Sequence, residues 1–337
     1  INIETGEKLT ESRCIWQGSG GRYLESPHMY KIGKYYYLMA AEGGTEYGHM
    51  ITYARSESVW GKFEGYPHNP VLTNRNKAPF IIQGIGHGDL IQDKNGEWHI
   101  ICLGFRQIHM WMTYHHLGRE CFLIPVTFHE DGWFTAGNGT CEESYELSGD
   151  FAQLPLKTYT LEHIGHDICH LRHPHTENYS ITKDKITLKG TDVTLDDVAS
   201  PTFAGVRQRD FDMDCSVSVS VSDGEGGLTV YSCETEHYDL ALRKNEGGYE
   251  AILRSTIGGS RHVEKAVQIP SGSAKLIIRS DSQVYKFFVQ SQGEEIPMGF
   301  AMSKYLSSEV CGGFTGTVIG MYAVKGSAEF TDLRISY

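Results

Sequence analysis

Apolar and polar residues alternate with a period of two over much of this chain. The pattern is sharpest in DFDMDCSVSVSVSD, where Phe211, Met213, Cys215, Val217, Val219 and Val221 are apolar and the positions between them are Asp or Ser. A strand places successive side chains on opposite faces, so this stretch reads as a strand with one buried and one wet face. GGLTVYS, YDLALR, YEAILRS, AKLIIRS, YKFFVQS and AEFTDLRISY follow at short intervals, separated by Gly, Asn, Asp and Ser. That spacing predicts an antiparallel β-sandwich over 178–337.

The first part of the chain is equally β-rich but more aromatic. KYYYLMAA and HMITYARS flank a glycine-rich turn, DLIQDKNGEWHIICLGF reads as two strands around Asn95-Gly96, and FLIPVTFHEDGWF repeats the plan around Asp131-Gly132. No long amphipathic helical period interrupts the series. Between about 138 and 178 the hairpin rhythm is lost. The expected organisation is an all-β body over 1–150, a linker over 151–177, and the sandwich.

Composition narrows the partners. With 40% hydrophobic and 21% charged residues, the chain has the make-up of an ordinary soluble globular protein. A formal net charge of -12, with both signs interspersed, argues against nucleic acid or an anionic membrane surface and suits a neutral substrate. No apolar run approaches the roughly 20 residues of a membrane helix. The eight cysteines are scattered singly, without a disulfide framework, and fit a reducing, cytoplasmic compartment without fixing it. The chain starts at Ile1 with no charged and apolar leader after it.

Candidate chemistry starts at Glu25, in YLESPHMYK. A carboxyl group beside apolar and aromatic walls resists ionisation and can donate a proton near neutral pH, whereas a solvated loop glutamate does nothing of the kind. The residues alone leave both readings open. HHLGRE and HIGHDICHLRHPH are histidine-rich, but neither has zinc-ligand spacing and both read as loop or linker. GSGG at 18–21 reads as a turn, with no helix after it to cradle a phosphate.

GGRYLESPHMYKIGKYYYLMAAEGGTEYGH, IQGIGHGDLI and LGRECFLIPV resemble, in order and spacing, motifs of glycoside hydrolase family 43, in particular its β-xylosidase and α-L-arabinofuranosidase members. FAGVRQRDFDMDCSVSV and GGFTGTVIGMY resemble the concanavalin-like sandwich that follows the catalytic domain in those enzymes. The resemblance implies part of a five-bladed β-propeller followed by that sandwich. It also implies an inverting mechanism with two carboxyl groups, one protonating the leaving oxygen and one activating water.

Glu25 matches the family's general acid, with Glu-Ser-Pro-His where the family usually reads Glu-Gly-Pro-His; that small-for-small change should be tolerated. His87 matches a histidine at the floor of the propeller, which binds calcium or orients a water there. Arg119 matches an arginine that reaches the terminal sugar, and Phe314 an aromatic residue of a sandwich loop that helps close the funnel; the alternative for Phe314 is a core residue between two strands. Glu42 and Glu46 are expected in structural roles, and Asp89 in orienting its neighbours.

The family's base and its second aspartate precede the Glu25 motif, and this chain has only 24 residues there. The first 150 residues hold strands for only two or three blades. The expectation is therefore a C-terminal portion, cleaved or separately encoded, completed by an N-terminal segment that carries both aspartates. The expected activity is release of terminal xylose or arabinose from xylan-derived oligosaccharides. A non-catalytic sugar-binding protein is the alternative.

Overall fold

A computed structural model of the chain describes residues 1–108, 111–146 and 158–337. They group into two compact units, one of residues 1–107 and 120–146, the other of 108, 111–119 and 158–337. The domain boundary read at 150/151 falls outside the described residues.

The first unit holds two antiparallel sheets of four strands each, in sequence order. β1 (Glu25–Ile32), β2 (Tyr35–Glu42), β3 (Met50–Ser56) and β4 (Glu64–Gly65) form one; β5 (Ile82–Gln92), β6 (Trp98–Arg106), β7 (Glu120–Phe128) and β8 (Phe134–Ala136) form the other. A four-stranded meander is one propeller blade, so the unit is two blades. Their turns are those the sequence announces. Gly96 donates to the Asp93 carbonyl at 3.1 Å and Gly132 to the His129 carbonyl at 2.8 Å, both glycines at positive φ.

The core of this unit is aromatic. Tyr53 and Phe134 stack with ring centroids 3.9 Å apart, and Tyr37, Phe128 and Trp133 pack round them. Tyr53 is fully buried because its hydroxyl donates to the Phe134 carbonyl and accepts from the Phe134 amide, both at 2.8 Å. Burial raises its phenol pKa above the usual range. β5 packs against β2 and β3 of the neighbouring blade, and Gly86 and Gly88 permit that approach. A Cβ at Gly86 would lie 2.3 Å from the His49 ring, and one at Gly88 2.5 Å from Ile51.

The second unit is a sandwich of two antiparallel sheets. Its strands are β9 (Thr158–Thr160), β10 (Tyr179–Ile181), β11 (Ile186–Gly190), β12 (Thr202–Arg207), β13 (Met213–Val221), β14 (Glu225–Cys233), β15 (Glu236–Asn245), β16 (Gly248–Ile257), β17 (Ser260–Ile269), β18 (Ser273–Ser280), β19 (Val284–Ser291), β20 (Glu294–Met302), β21 (Val318–Val324) and β22 (Gly326–Ser336). One sheet runs β10-β11-β22-β13-β18-β19-β20, with β9 also paired to β22; the other runs β12-β21-β14-β15-β16-β17. In β13, Met213, Cys215, Val217, Val219 and Val221 all face the core, as the alternation predicts.

Two features depart from the sequence reading. Residues 158–177, read as linker, carry β9 and a two-way backbone bridge from Cys169 to Gly205, so they add backbone pairs to the sandwich sheets. His115 and His116 lie in a loop, as read, but that loop is buried in the second unit. His115 Nδ1 meets Glu309 Oε1 at 2.8 Å, while Thr317 N donates to the His116 carbonyl at 2.8 Å. These pairings span about 200 residues of sequence, which no local pattern encodes.

The sandwich also encloses an ionic cluster. His237 contacts Asp239 at 2.9 Å and Asp196 at 3.2 Å, and Arg254 joins Asp239 to Glu225. Tyr322 donates its hydroxyl to Glu225 at 2.7 Å. Burial opposes a charge on His237, yet Asp239 and Asp196 at its two nitrogens raise its pKa to about 9.

Candidate active site

The loop 18–24 that delivers Glu25 is anchored by Glu42, at the end of β2. This carboxylate is fully buried and accepts from Ser19 N at 2.7 Å, Gly21 N at 2.6 Å and the Thr52 hydroxyl at 2.7 Å. Gly18 and Gly21 are needed for the approach: a Cβ at either would fall within 3 Å of the carboxylate. Gly43 N donates to the Arg22 carbonyl at 2.7 Å, Arg22 Nε donates back to the Gly43 carbonyl at 3.1 Å, and Arg22 pairs with Glu46. The structural roles expected of Glu42 and Glu46 are thus visible as contacts that fix the backbone just ahead of Glu25.

Glu25 opens β1 opposite Ala41, and the register then shifts in a bulge before His28. Ser26 sits in that bulge at φ 52, a left-handed conformation that favours glycine. Pro27 then fixes its own φ. Across the bulge the burial alternation is kept, and Glu25 shares the exposed face with residues 27 and 29. Glu25 is exposed, and the exposed apolar residues nearest in sequence are Tyr23, Leu24 and Met29. The apolar enclosure expected of it is therefore not supplied by the described residues of the first unit, because β1 directs residues 25, 27 and 29 to the exposed face.

A second bulged strand stands beside it. Asp89, on β5, contacts His28 Nδ1 at 2.9 Å and accepts from the Tyr30 hydroxyl at 3.1 Å; the same hydroxyl accepts from Leu90 N at 3.0 Å. Ser26 and His28 are joined through Oγ and Nε2 at 3.2 Å. Burial, with Asp89 beside it, pushes the Tyr30 phenol up to about 12, so it stays a neutral donor at ordinary pH. The Ser26–His28–Asp89–Tyr30 chain ties the Glu25 bulge to the next blade. Sequence reasoning gave Asp89 an orienting role but missed His28 and Tyr30, whose signal was the i, i+2 spacing on one face of β1.

His87 lies in β5 within the second of two register shifts, the one between Gly86 and Asp89, at φ 53, with its side chain exposed. Calcium takes about six to eight oxygen ligands. Among the described residues His87 belongs to no group of three His, Cys, Asp or Glu donors that could hold a metal ion. The His, Cys, Asp and Glu side chains among the described residues do not by themselves supply that ligand set around His87.

Arg119 and Phe314 belong to the second unit, where they meet. The Arg119 guanidinium lies over the Phe314 ring at 4.5 Å, and Arg119 N donates to the Phe314 carbonyl at 3.3 Å. Their backbones come this close because residues 118 and 316 are both glycine; a Cβ on Gly118 would lie 2.6 Å from the backbone of residues 315 and 316. Phe314 is 47% exposed on a loop, which removes its reading as a core residue. Thus Glu25 and His87 lie in one unit, and Arg119 and Phe314 form a stacked pair in the other.

Comparison with known proteins agrees with this geometry. The family described as glycosyl hydrolases family 43 matches residues 3–134, and the beta xylosidase C-terminal concanavalin A-like domain matches 157–334. The chain is 38% identical over 336 residues to a non-reducing end alpha-L-arabinofuranosidase of Bacteroides ovatus, covering 96% of this chain and 63% of the relative. It is 27% identical to a xylosidase/arabinosidase of Butyrivibrio fibrisolvens, covering 96% of this chain and 65% of that protein. The solved structure described as Bacteroides ovatus Xyloglucan PUL GH43B superimposes with a TM-score of 0.90 at 36% identity, covering all of this chain and 70% of that one. This chain, spanning somewhat less than two thirds of the curated relatives it matches, belongs to glycoside hydrolase family 43.

Proposed function

We propose that the protein is an exo-acting glycosidase that removes terminal xylose or arabinose from xylan-derived oligosaccharides with inversion. The observation that carries this reading is Glu25 itself. It is an exposed carboxyl group on a backbone fixed from one side by buried Glu42 and from the other by the Ser26–His28–Asp89 chain. In the proposed step the Glu25 carboxyl gives its proton to the glycosidic oxygen as the bond to the anomeric carbon breaks. A carboxylate about 6.5–9.5 Å away deprotonates the water that attacks from the opposite face.

That base, and the apolar cover over Glu25, are assigned to a segment outside this chain that completes the propeller. The relatives' greater length and the exposed Ile3, Leu9, Tyr23, Leu24 and Met29 support the assignment. Arg119 is assigned to the sugar's vicinal oxygens, which its planar fork of donors suits, with Phe314 as the apolar surface beside it. His87 is assigned to substrate binding through its exposed imidazole.

Proton NMR of the first product formed from xylobiose and from arabinosylated xylo-oligosaccharides tests the reading. A released pentose of inverted anomeric configuration is expected. A retained anomer would refute inversion, and binding without release would leave a sugar-binding protein.

A further inference from the structure

Away from Glu25, the sandwich gathers two thiols and a carboxylate at one point. Cys233 ends β14 and Glu236 opens β15, so the tight turn between them presents both side chains together, opposite each other in the strand register. Cys311 arrives from the single helical turn Ser308–Cys311. One ligand atom from each of Cys233, Glu236 and Cys311 lies within 4.8 Å of the other two.

Glu236 is already oriented for such a role. It is buried, its Oε1 accepts from Gly258 N at 2.9 Å, and its Oε2 accepts from the Thr235 hydroxyl at 2.5 Å and faces the Cys233 sulfur at 2.8 Å. A backbone hydrogen bond on one oxygen with the other aimed at a ligand cluster is how coordinating carboxylates are held in place. A tetrahedral zinc ion with bonds of about 2.3 Å to sulfur and about 2.0 Å to oxygen places its ligand atoms under about 4 Å apart, so a small closure would suffice. A disulfide would use only the two sulfurs and would not engage the Glu236 carboxylate, whose Oε2 keeps the Thr235 hydroxyl as a donor in either case.

We propose that Cys233, Glu236 and Cys311 bind one soft divalent cation of the zinc type, with the fourth position open to water. Binding replaces the two thiol protons by two metal–sulfur bonds and releases both protons to solvent. The ion would fasten the helical turn that carries Glu309 and Cys311, only three residues before Phe314, to the β14–β15 turn. The proposal does not depend on the glycosidase reading.

Titration of the reduced protein with Cd2+, followed by thiolate charge-transfer absorbance and by proton release, tests it. One equivalent per chain is expected, with two protons released. Cys233→Ser and Cys311→Ser should abolish the signal, and Glu236→Gln should weaken binding by about tenfold or more. Cys14→Ser and Cys121→Ser, at exposed cysteines elsewhere, should leave it unchanged. The Tm should rise with Zn2+ in the parent and not in Cys311→Ser. Absence of stoichiometric binding would overturn the proposal, as would a Cys233–Cys311 disulfide in protein isolated under inert atmosphere.

Discussion

Ser26 holds a backbone conformation that costs an L-residue about 1–2 kcal/mol relative to its ordinary regions. The sequence offered Ser in place of Gly as a small-for-small change; the φ of 52 is the physical reason that glycine suits this position. Ser26→Gly should therefore raise stability by about 1 kcal/mol, partly offset by loss of the Ser26–His28 hydrogen bond, and chemical denaturation measures it. Glu42 makes the opposite case. Three donors converge on its carboxylate, so Glu42→Gln would turn an amide NH2 toward at least one of them. A loss of about 1–3 kcal/mol is expected. Because Glu42 acts only by positioning the Glu25 loop, kcat should fall more than KM rises; a change in KM alone would assign it elsewhere. The motif marks Glu25 as the expected proton donor, whereas its exposure was not legible, because enclosure depends on neighbours that the motif does not contain.

At the level of elements, period and turn chemistry carried most of the fold. β13 buries the residues its alternation assigns, and the Asn95-Gly96 and Asp131-Gly132 hairpins form where their turn residues stand. The segment 111–119 was not legible, since its partners lie at 303–317 and are selected by tertiary contact. β5 was legible as a strand but not as the glycine-bared ribbon beneath His49. Gly86→Ala should displace that imidazole or open the contact, destabilising the first unit by about 1–3 kcal/mol, and thermal unfolding measures the loss. In β15, His237 is flanked by Asp239 and Asp196, which are themselves paired with Arg254 and Arg261. Its folded pKa of about 9 lies above the unfolded value of about 6.5. Its contribution is therefore complete below about pH 6.5 and is lost as pH rises through about 9. The loss is on the order of 3 kcal/mol. Tm measured from pH 6 to 10 should decline over that window, and His237→Gln should flatten the decline.

For the whole molecule, a net charge of -12 spread over two β units suits the neutral glycan proposed as its substrate. The two-unit plan could be read from the change of rhythm near 138–178, and the family from motifs spread along almost the full length. The number of blades could only be bounded, because aromatic hairpins announce strands without announcing how many sheets they make. Proton donation by Glu25 implies that the rate depends on the leaving group. Glu25→Gln keeps the side chain's shape and removes its titrating proton. Its rates should be compared with those of the parent enzyme across aryl pentosides of graded leaving-group acidity and on xylobiose. If Glu25 donates the proton, the loss is severe on xylobiose and the poorest aryl leaving groups and shrinks steadily as the leaving group becomes more acidic. A uniform, undiminished rate across the series would rule out Glu25 as the proton donor.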